Sequence, residues 1–261
     1  MYEYILVKKE NGIATITLNR PEAGNAFAIP EYTEIKEALE DCGADPEVRV
    51  VVITGAGRFF SAGGDIKRFK DHIESGEFLK KENVIKAGAM TNAVRTCPKP
   101  VIAAVNGAAI GAGCALALAC DFRIVTPKSK MGMGFVNMGF SGDTGGIYML
   151  KQIVGVAKLT EMMALGTVLN GEEALELGLA TKMVEDGKLE EATAELANVL
   201  ANKPTQAIAR QKQLYYEFFY GDLLEFNKRE ADYMYECART EDHKEAVYAF
   251  LEKRPPVFTG K

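Results

Sequence analysis

Two glycine-rich segments and one aspartate are the parts of this chain best equipped for chemistry. The first segment reads Gly55-Ala56-Gly57-Arg58-Phe59-Phe60-Ser61-Ala62-Gly63-Gly64-Asp65, the second Gly107-Ala108-Ala109-Ile110-Gly111-Ala112-Gly113-Cys114. Each follows an apolar run of strand length, residues 48–54 and 100–105. Glycine at a strand-to-helix turn lets the backbone approach a ligand closely. The first N–H groups of the helix that follows are unpaired and carry the positive end of its dipole. Two such turns side by side would offer two donors to one oxygen, which is how an oxyanion is stabilised. Either segment alone is equally well read as a tight turn. Neither matches G-x-x-x-x-G-K-[ST], and the full G-x-G-x-x-G spacing is missing after the first strand, so nucleotide binding is not expected. The aspartate is Asp143, in Gly139-Phe140-Ser141-Gly142-Asp143-Thr144-Gly145-Gly146, just before a helical pattern. It is suited to capping that helix or to moving protons.

Composition removes other chemistries. Only two histidines occur, His72 and His243, both in charged, helical-looking sequence. They are expected on the solvated surface, which leaves no Ser-His-Asp triad, no His-rich zinc site and no metal centre. The five cysteines, Cys42, Cys97, Cys114, Cys120 and Cys237, are odd in number and irregularly spaced, so reduced thiols are expected. The net charge of -5 argues against nucleic acid, which needs a basic surface. The longest apolar stretch, residues 108–120, contains two glycines and is too short to span a bilayer, so no membrane partner is expected. The opening residues show no positive n-region and apolar h-region, and a cytoplasmic protein is expected.

The elements that must position these segments follow from pattern. Residues 2–8 and 13–19 are strand-like and flank Asn11-Gly12, a hairpin signal. Residues 30–41 have helical spacing, with Ile35 and Leu39 four apart. Residues 48–54 and 100–105 suit strands buried on both faces. A polar helical stretch runs to about Thr96, a helix covers residues 111–119, and a short strand covers 122–125. From Gly145 onward the pattern is mostly helical, with breaks near Gly155, Gly171, Gly187 and Pro204. The chain therefore reads as α/β, with a core over residues 1–203 and a helical segment over 204–261. The tail helices, residues 205–220 and 223–253, carry Tyr215, Tyr216, Phe218, Phe219, Tyr233 and Tyr235. These are more aromatics than one small layer needs, and they suit packing on a partner subunit or on the main core.

Taken together, the motifs resemble the enoyl-CoA hydratase/isomerase (crotonase) family. The carriers are Phe60-Ser61-Ala62-Gly63-Gly64-Asp65-Ile66, residues 100–113, and Cys120-Asp121. Gly145-Gly146, Leu165-Gly166, residues 174–179, Lys203-Pro204 and residues 249–254 follow in order. The resemblance implies a crotonase-type spiral of ββα units with a helical C-terminal segment for oligomerisation, as a homotrimer or a dimer of trimers. It implies an acyl-CoA thioester as substrate, with coenzyme A part of that substrate and no separate cofactor. It assigns the oxyanion donors to the N–H groups of Gly64 and Ala112. Coenzyme A would run past Ala62, Gly64 and Lys67, with Phe250 and Lys253 near its outer end.

The chain departs from the family's hydratases at both acid/base glutamates, where it has Ala115 and Phe135. Asp143 falls where some crotonase-fold isomerases place their acid/base aspartate. It also falls where 4-chlorobenzoyl-CoA dehalogenases place a nucleophile, although their His and Trp correspond to Asn92 and Phe135 here. The resemblance thus implies an enoyl-CoA isomerase with Asp143 as acid/base; partial burial among Phe135, Met138 and Phe140 would raise the pKa of Asp143 toward neutral. The alternatives are a hydratase with an unusual carboxylate arrangement, a hydrolase or dehalogenase using Asp143 as nucleophile, and a non-catalytic acyl-CoA-binding subunit.

Overall fold

The computed structural model describes residues 2–261. Strands β1 (Ile5–Glu10) and β2 (Ile13–Leu18) pair antiparallel. Between them Asn11 and Gly12 take φ of 51° and 78°, the tight turn whose twist matches a hairpin. Helix α1 (Ile29–Ala44) leads to β3 (Val50–Gly55), parallel to β2. The polar stretch that follows is two helices, α2 (Ile66–Ser75) and α3 (Lys81–Thr96), ahead of β4 (Val101–Val105).

Next come β5 (Ala108–Ile110), α4 (Ala112–Ala119), β6 (Phe122–Val125) and β7 (Lys130–Gly132). Helix α5 (Gly146–Leu165) is interrupted at Gly155, where φ 72° and ψ 170° are not helical. Strand β8 (Val168–Asn170), helix α6 (Gly171–Glu176), strand β9 (Lys182–Met183) and helix α7 (Leu189–Ala201) follow. The main sheet has the order β1-β2-β3-β4-β6-β9, and a small second sheet has the order β5-β7-β8. Side-chain alternation divides the central strands between two layers. Val51, Ile53, Val101, Ala103 and Val105 enter the main core. Val50, Val52, Ile102 and Ala104 turn the other way and pack with Ala197 of α7.

Three helices end the chain: α8 (Thr205–Phe219), α9 (Leu223–Cys237) and α10 (Glu241–Glu252). Periodicity suggests one helix over 223–253, but Thr240 starts a new one by accepting the His243 N–H at 3.1 Å. These helices dock on their own core. Leu223, Ala231, Met234 and Val247 join the main hydrophobic cluster. Lys212 of α8 is buried and donates to Asp121 Oδ2 at 2.6 Å and to the Lys99 carbonyl at 3.0 Å. Tyr215, Phe218, Phe219 and Tyr233 stay exposed. Among the described residues, no helix is long and apolar enough to cross a membrane.

His243 corrects the sequence reading. It is 3% exposed, not solvated. The new start at Thr240 presses the α10 backbone against Gly139, where a Cβ would lie 2.8 Å from His243 Cα. The imidazole Nδ1 lies 2.8 Å from the Met138 carbonyl, and the ring stacks 4.1 Å from Phe140. Burial lowers its pKa. His72 is half-buried.

Candidate active site

Strands β3 and β4 run in parallel register, Ile53 opposite Ala103 and Thr54 opposite Ala104. The loops that leave them therefore emerge side by side. Asn106 fixes the first loop: its Nδ2 donates to the Gly55 and Gly57 carbonyls at 2.9 and 3.0 Å, and its Oδ1 accepts the Gly55 N–H at 3.1 Å. Asn25 holds the same loop through the Ala56 and Phe59 carbonyls at 2.9 and 2.8 Å. The Ser61 N–H then donates to the Ala108 carbonyl and the Ile110 N–H to the Ser61 carbonyl, both at 3.0 Å.

This stitching lays Gly63 against the start of α4. A Cβ on Gly63 would stand 2.5 Å from the Ile110 carbonyl oxygen and 3.5 Å from the Ala112 nitrogen, and its φ is 88°. Only glycine fits such a contact in that conformation. Ala112 opens α4, so its N–H is one of the helix's orphan donors. Among the described residues, neither the Gly64 nor the Ala112 N–H has an acceptor within the chain. Both residues line one cleft of about 830 Å³. Two free donors at neighbouring turns can hold one carbonyl oxygen as negative charge grows on it.

Asp143 lines the same cleft. It is not the cap of α5: that place belongs to Gly145, and no side chain caps the helix. The carboxylate instead accepts the neighbouring Thr144 hydroxyl. Burial pushes its pKa up to about 6, against the Thr144 hydroxyl and the Arg68 guanidinium, which both favour the anion. Two other carboxylates border the cleft, Glu22 and Asp65. Glu22 is exposed. Asp65 caps α2 through the Lys67 N–H at 3.1 Å and pairs with Arg20 at 3.3 Å. Asp143 is therefore the cleft carboxylate left for chemistry beside the two free N–H groups.

Of the eight residues singled out from sequence, seven line the cleft. Ala62 and Lys67 are exposed there, Phe135 is buried in its wall, and Phe250 reaches it from α10 while 59% exposed. Lys253 is not among the lining residues; it ends α10 with φ 57°, exposed. Ala115 is fully buried and Phe135 is apolar wall, so neither position offers the cleft an acid/base group. Asn92 accepts the Tyr216 hydroxyl at 2.9 Å and does not line the cleft. Among the described residues, no group of three potential ligands could hold a metal ion.

Sequence reasoning missed Tyr32 and Arg68. Both line the cleft close enough to Asp143 to act on one another's charge. Arg68 follows Lys67 in the first turn of α2, and its Nε is buried without a partner. The inner wall is apolar, with Leu79, Val84, Ala87, Phe140 and Met234.

Known proteins resemble this chain along nearly its whole length. Residues 8–261 match the family model described as enoyl-CoA hydratase/isomerase. The trans-2-decenoyl-[acyl-carrier-protein] isomerase of Streptococcus mutans is 33% identical over 100% of this chain and 99% of its own. The crotonyl-CoA hydratase of Syntrophomonas wolfei is 35% identical over 100% and 99%. The crystal structure of an enoyl-CoA hydratase from Mycobacterium avium subsp. paratuberculosis superposes with a TM-score of 0.89, at 30% identity, over 98% of this chain and 99% of that one.

Proposed function

The chain belongs to the enoyl-CoA hydratase/isomerase family, with its crotonase-type spiral of ββα units and helical C-terminal region, and we propose that within it the protein is an enoyl-CoA isomerase. The substrate is an acyl-CoA thioester, and coenzyme A enters as part of it. The thioester carbonyl oxygen accepts hydrogen bonds from the Gly64 and Ala112 N–H groups. Asp143 takes a proton from C2 of a 3-enoyl thioester. The C–H bond breaks, an O–H bond forms on the carboxylate, and the electron pair spreads into the thioester as an enolate. The same carboxyl then returns the proton to C4, and the double bond comes to rest between C2 and C3. No other reactant is consumed.

One observation carries this reading: Asp143 is the free carboxylate beside the two donors, while both hydratase glutamate positions hold side chains that cannot move a proton. A pKa of about 6 suits a base working near neutrality. Proton transfer by one positioned group contributes about 10²–10⁴-fold, and a single oxyanion donor about 3 kcal/mol. Coenzyme A lies along Ala62, Gly64 and Lys67, with Phe250 at its outer end. The exposed tail aromatics support a trimer or a dimer of trimers. The test is turnover of 3-enoyl-CoA thioesters, followed by the ultraviolet absorbance of the conjugated product. Hydration of 2-enoyl-CoA with no 3-enoyl turnover would sink the isomerase reading.

A further inference from the structure

The corner that carries Asp143 is held in an unfavourable shape from behind. Thr144 has φ 64°, a conformation that a β-branched residue rarely adopts. Such a residue stores about 1–3 kcal/mol and persists only where its surroundings impose it. Gly142 and Gly145 beside it also have positive φ, 121° and 69°.

Two buried side chains impose the shape. Thr91 of α3 donates its hydroxyl to the Thr144 carbonyl at 2.8 Å. Glu230 of α9 accepts the Gly145 N–H through Oε2, also at 2.8 Å. Glu230 is 5% exposed, and its Oε1 has no partner. Leu223, Asn227 and Glu230 share one face of α9, spaced four and three residues apart. The first two close on the same glycine: a Cβ at Gly145 would meet Leu223 Cδ1 at 3.0 Å and Asn227 Oδ1 at 3.1 Å. None of Thr91, Asn227 and Glu230 lines the cleft, so none touches substrate.

The strain has a consequence for Asp143. An aspartate just ahead of a helix ordinarily turns onto the first free N–H groups and caps it. A carboxylate held there is stabilised as an anion and becomes a weaker base. With Glu230 on the Gly145 N–H and Thr91 on the Thr144 carbonyl, the corner cannot relax that way.

Resting on the isomerase reading of Asp143, we propose that Glu230 is a positioning residue: together with Thr91 it clamps the Thr144–Gly145 corner, keeping the Asp143 carboxyl on the substrate and off the helix end. The C-terminal region thereby completes the active site of its own chain through α9.

The titratable groups around Asp143 are Arg68 on α2, Tyr32 on α1 and Glu230 on α9. Burial and the Asp143 charge raise the Glu230 pKa to about 8, so at neutral pH it holds a proton while still accepting the Gly145 bond. Its role at that pH is the hydrogen bond, and glutamine can reproduce it.

The experiment uses the full chain and a 3-enoyl-CoA thioester that the wild type turns over, with Glu230→Ala, Glu230→Gln, Thr91→Val and Asp143→Asn side by side. Glu230→Ala is expected to lose at least ~10-fold in kcat, since small misplacement of a reacting group has large effects. KM should stay within about twofold, because the oxyanion donors are untouched. The acid limb of its pH profile should move below 6, as the helix end recaptures the anion. Glu230→Gln should recover kcat to within about threefold. Thr91→Val should lower kcat in the same sense, and it carries the test alone if Glu230→Ala does not fold. Wild-type kcat in a folded Glu230→Ala or Thr91→Val, or a Gln variant no better than Ala, overturns the clamp. If Asp143→Asn inactivates while those variants are silent, the clamp is wrong and the isomerase reading stands. If Asp143→Asn is itself silent, the isomerase reading has failed and the clamp falls with it.

Discussion

Lowering the pH should switch this enzyme off at a point set by the burial of Asp143. Its pKa rises from the ordinary 3.8 to about 6. That corresponds to about 3 kcal/mol favouring the protonated form. The base must be ionised to take a proton, so activity is present above the raised pKa and lost as pH falls through it. At pH 5 about one tenth of the enzyme would be ionised, whereas an unburied aspartate would be about nine tenths ionised. The profile of kcat/KM against pH reports groups of the free enzyme. Initial rates at low 3-enoyl-CoA between pH 5 and 8 should show about a tenfold loss at the acid end. Arg68 opposes the shift, so Arg68→Met should move the limb upward. A flat profile down to pH 5 would refute the argument that burial tunes this carboxylate.

Other consequences can be checked separately. Gly63→Ala would place a Cβ 2.5 Å from the Ile110 carbonyl at a φ of 88°. It should part the two donor loops and cost at least ~10²-fold in kcat, with circular dichroism reporting the fold. Lys212→Ala would leave the half-buried Asp121 with Arg95, 3.4 Å away, and the Val101 N–H, 2.8 Å away, but without its ammonium partner. Urea unfolding should show a loss of about 3 kcal/mol; a loss under 1 kcal/mol would mean that α8 is held by apolar contact alone. Phe218→Glu, at a residue 74% exposed in the single chain, should shift a trimer or hexamer toward monomer in sedimentation. An already monomeric wild type at micromolar concentration would end the assembly proposal.

Much of this architecture was legible in the residues because local physics decides it. Asn11-Gly12 names its own turn, and the apolar runs around Val51 and Ile102 name strands buried on both faces. Strands β5, β7, β8 and β9 have only two or three residues each. They are defined by their pairing, and so short a run carries no period of its own. The start of α10 was missed because Ala238-Arg239-Thr240 continues a helical pattern, and only the Thr240 cap reveals the break. His243 was misplaced for the same reason, since a helix assumed continuous points its residues the wrong way. At the site, the glycines declared the two loops. Whether Asp143 was a cap or a cleft group depended on the φ of Thr144, which nothing nearby in sequence announces. Glu230 was harder still. On a tail helix it looks like one more surface charge, and its partner, Gly145, lies 85 residues away.

The central claim is that Asp143 carries the proton between C2 and C4. Asp143→Asn keeps the shape and can still accept the Thr144 hydroxyl, but it cannot take and return a proton. The most direct measurement is turnover of a 3-enoyl-CoA thioester by the wild type and by this variant, with acyl-CoA affinity measured alongside. The account predicts a fall of at least ~10²-fold in kcat with affinity nearly unchanged, because the oxyanion donors belong to the main chain. Wild-type turnover by a folded Asp143→Asn protein would contradict it.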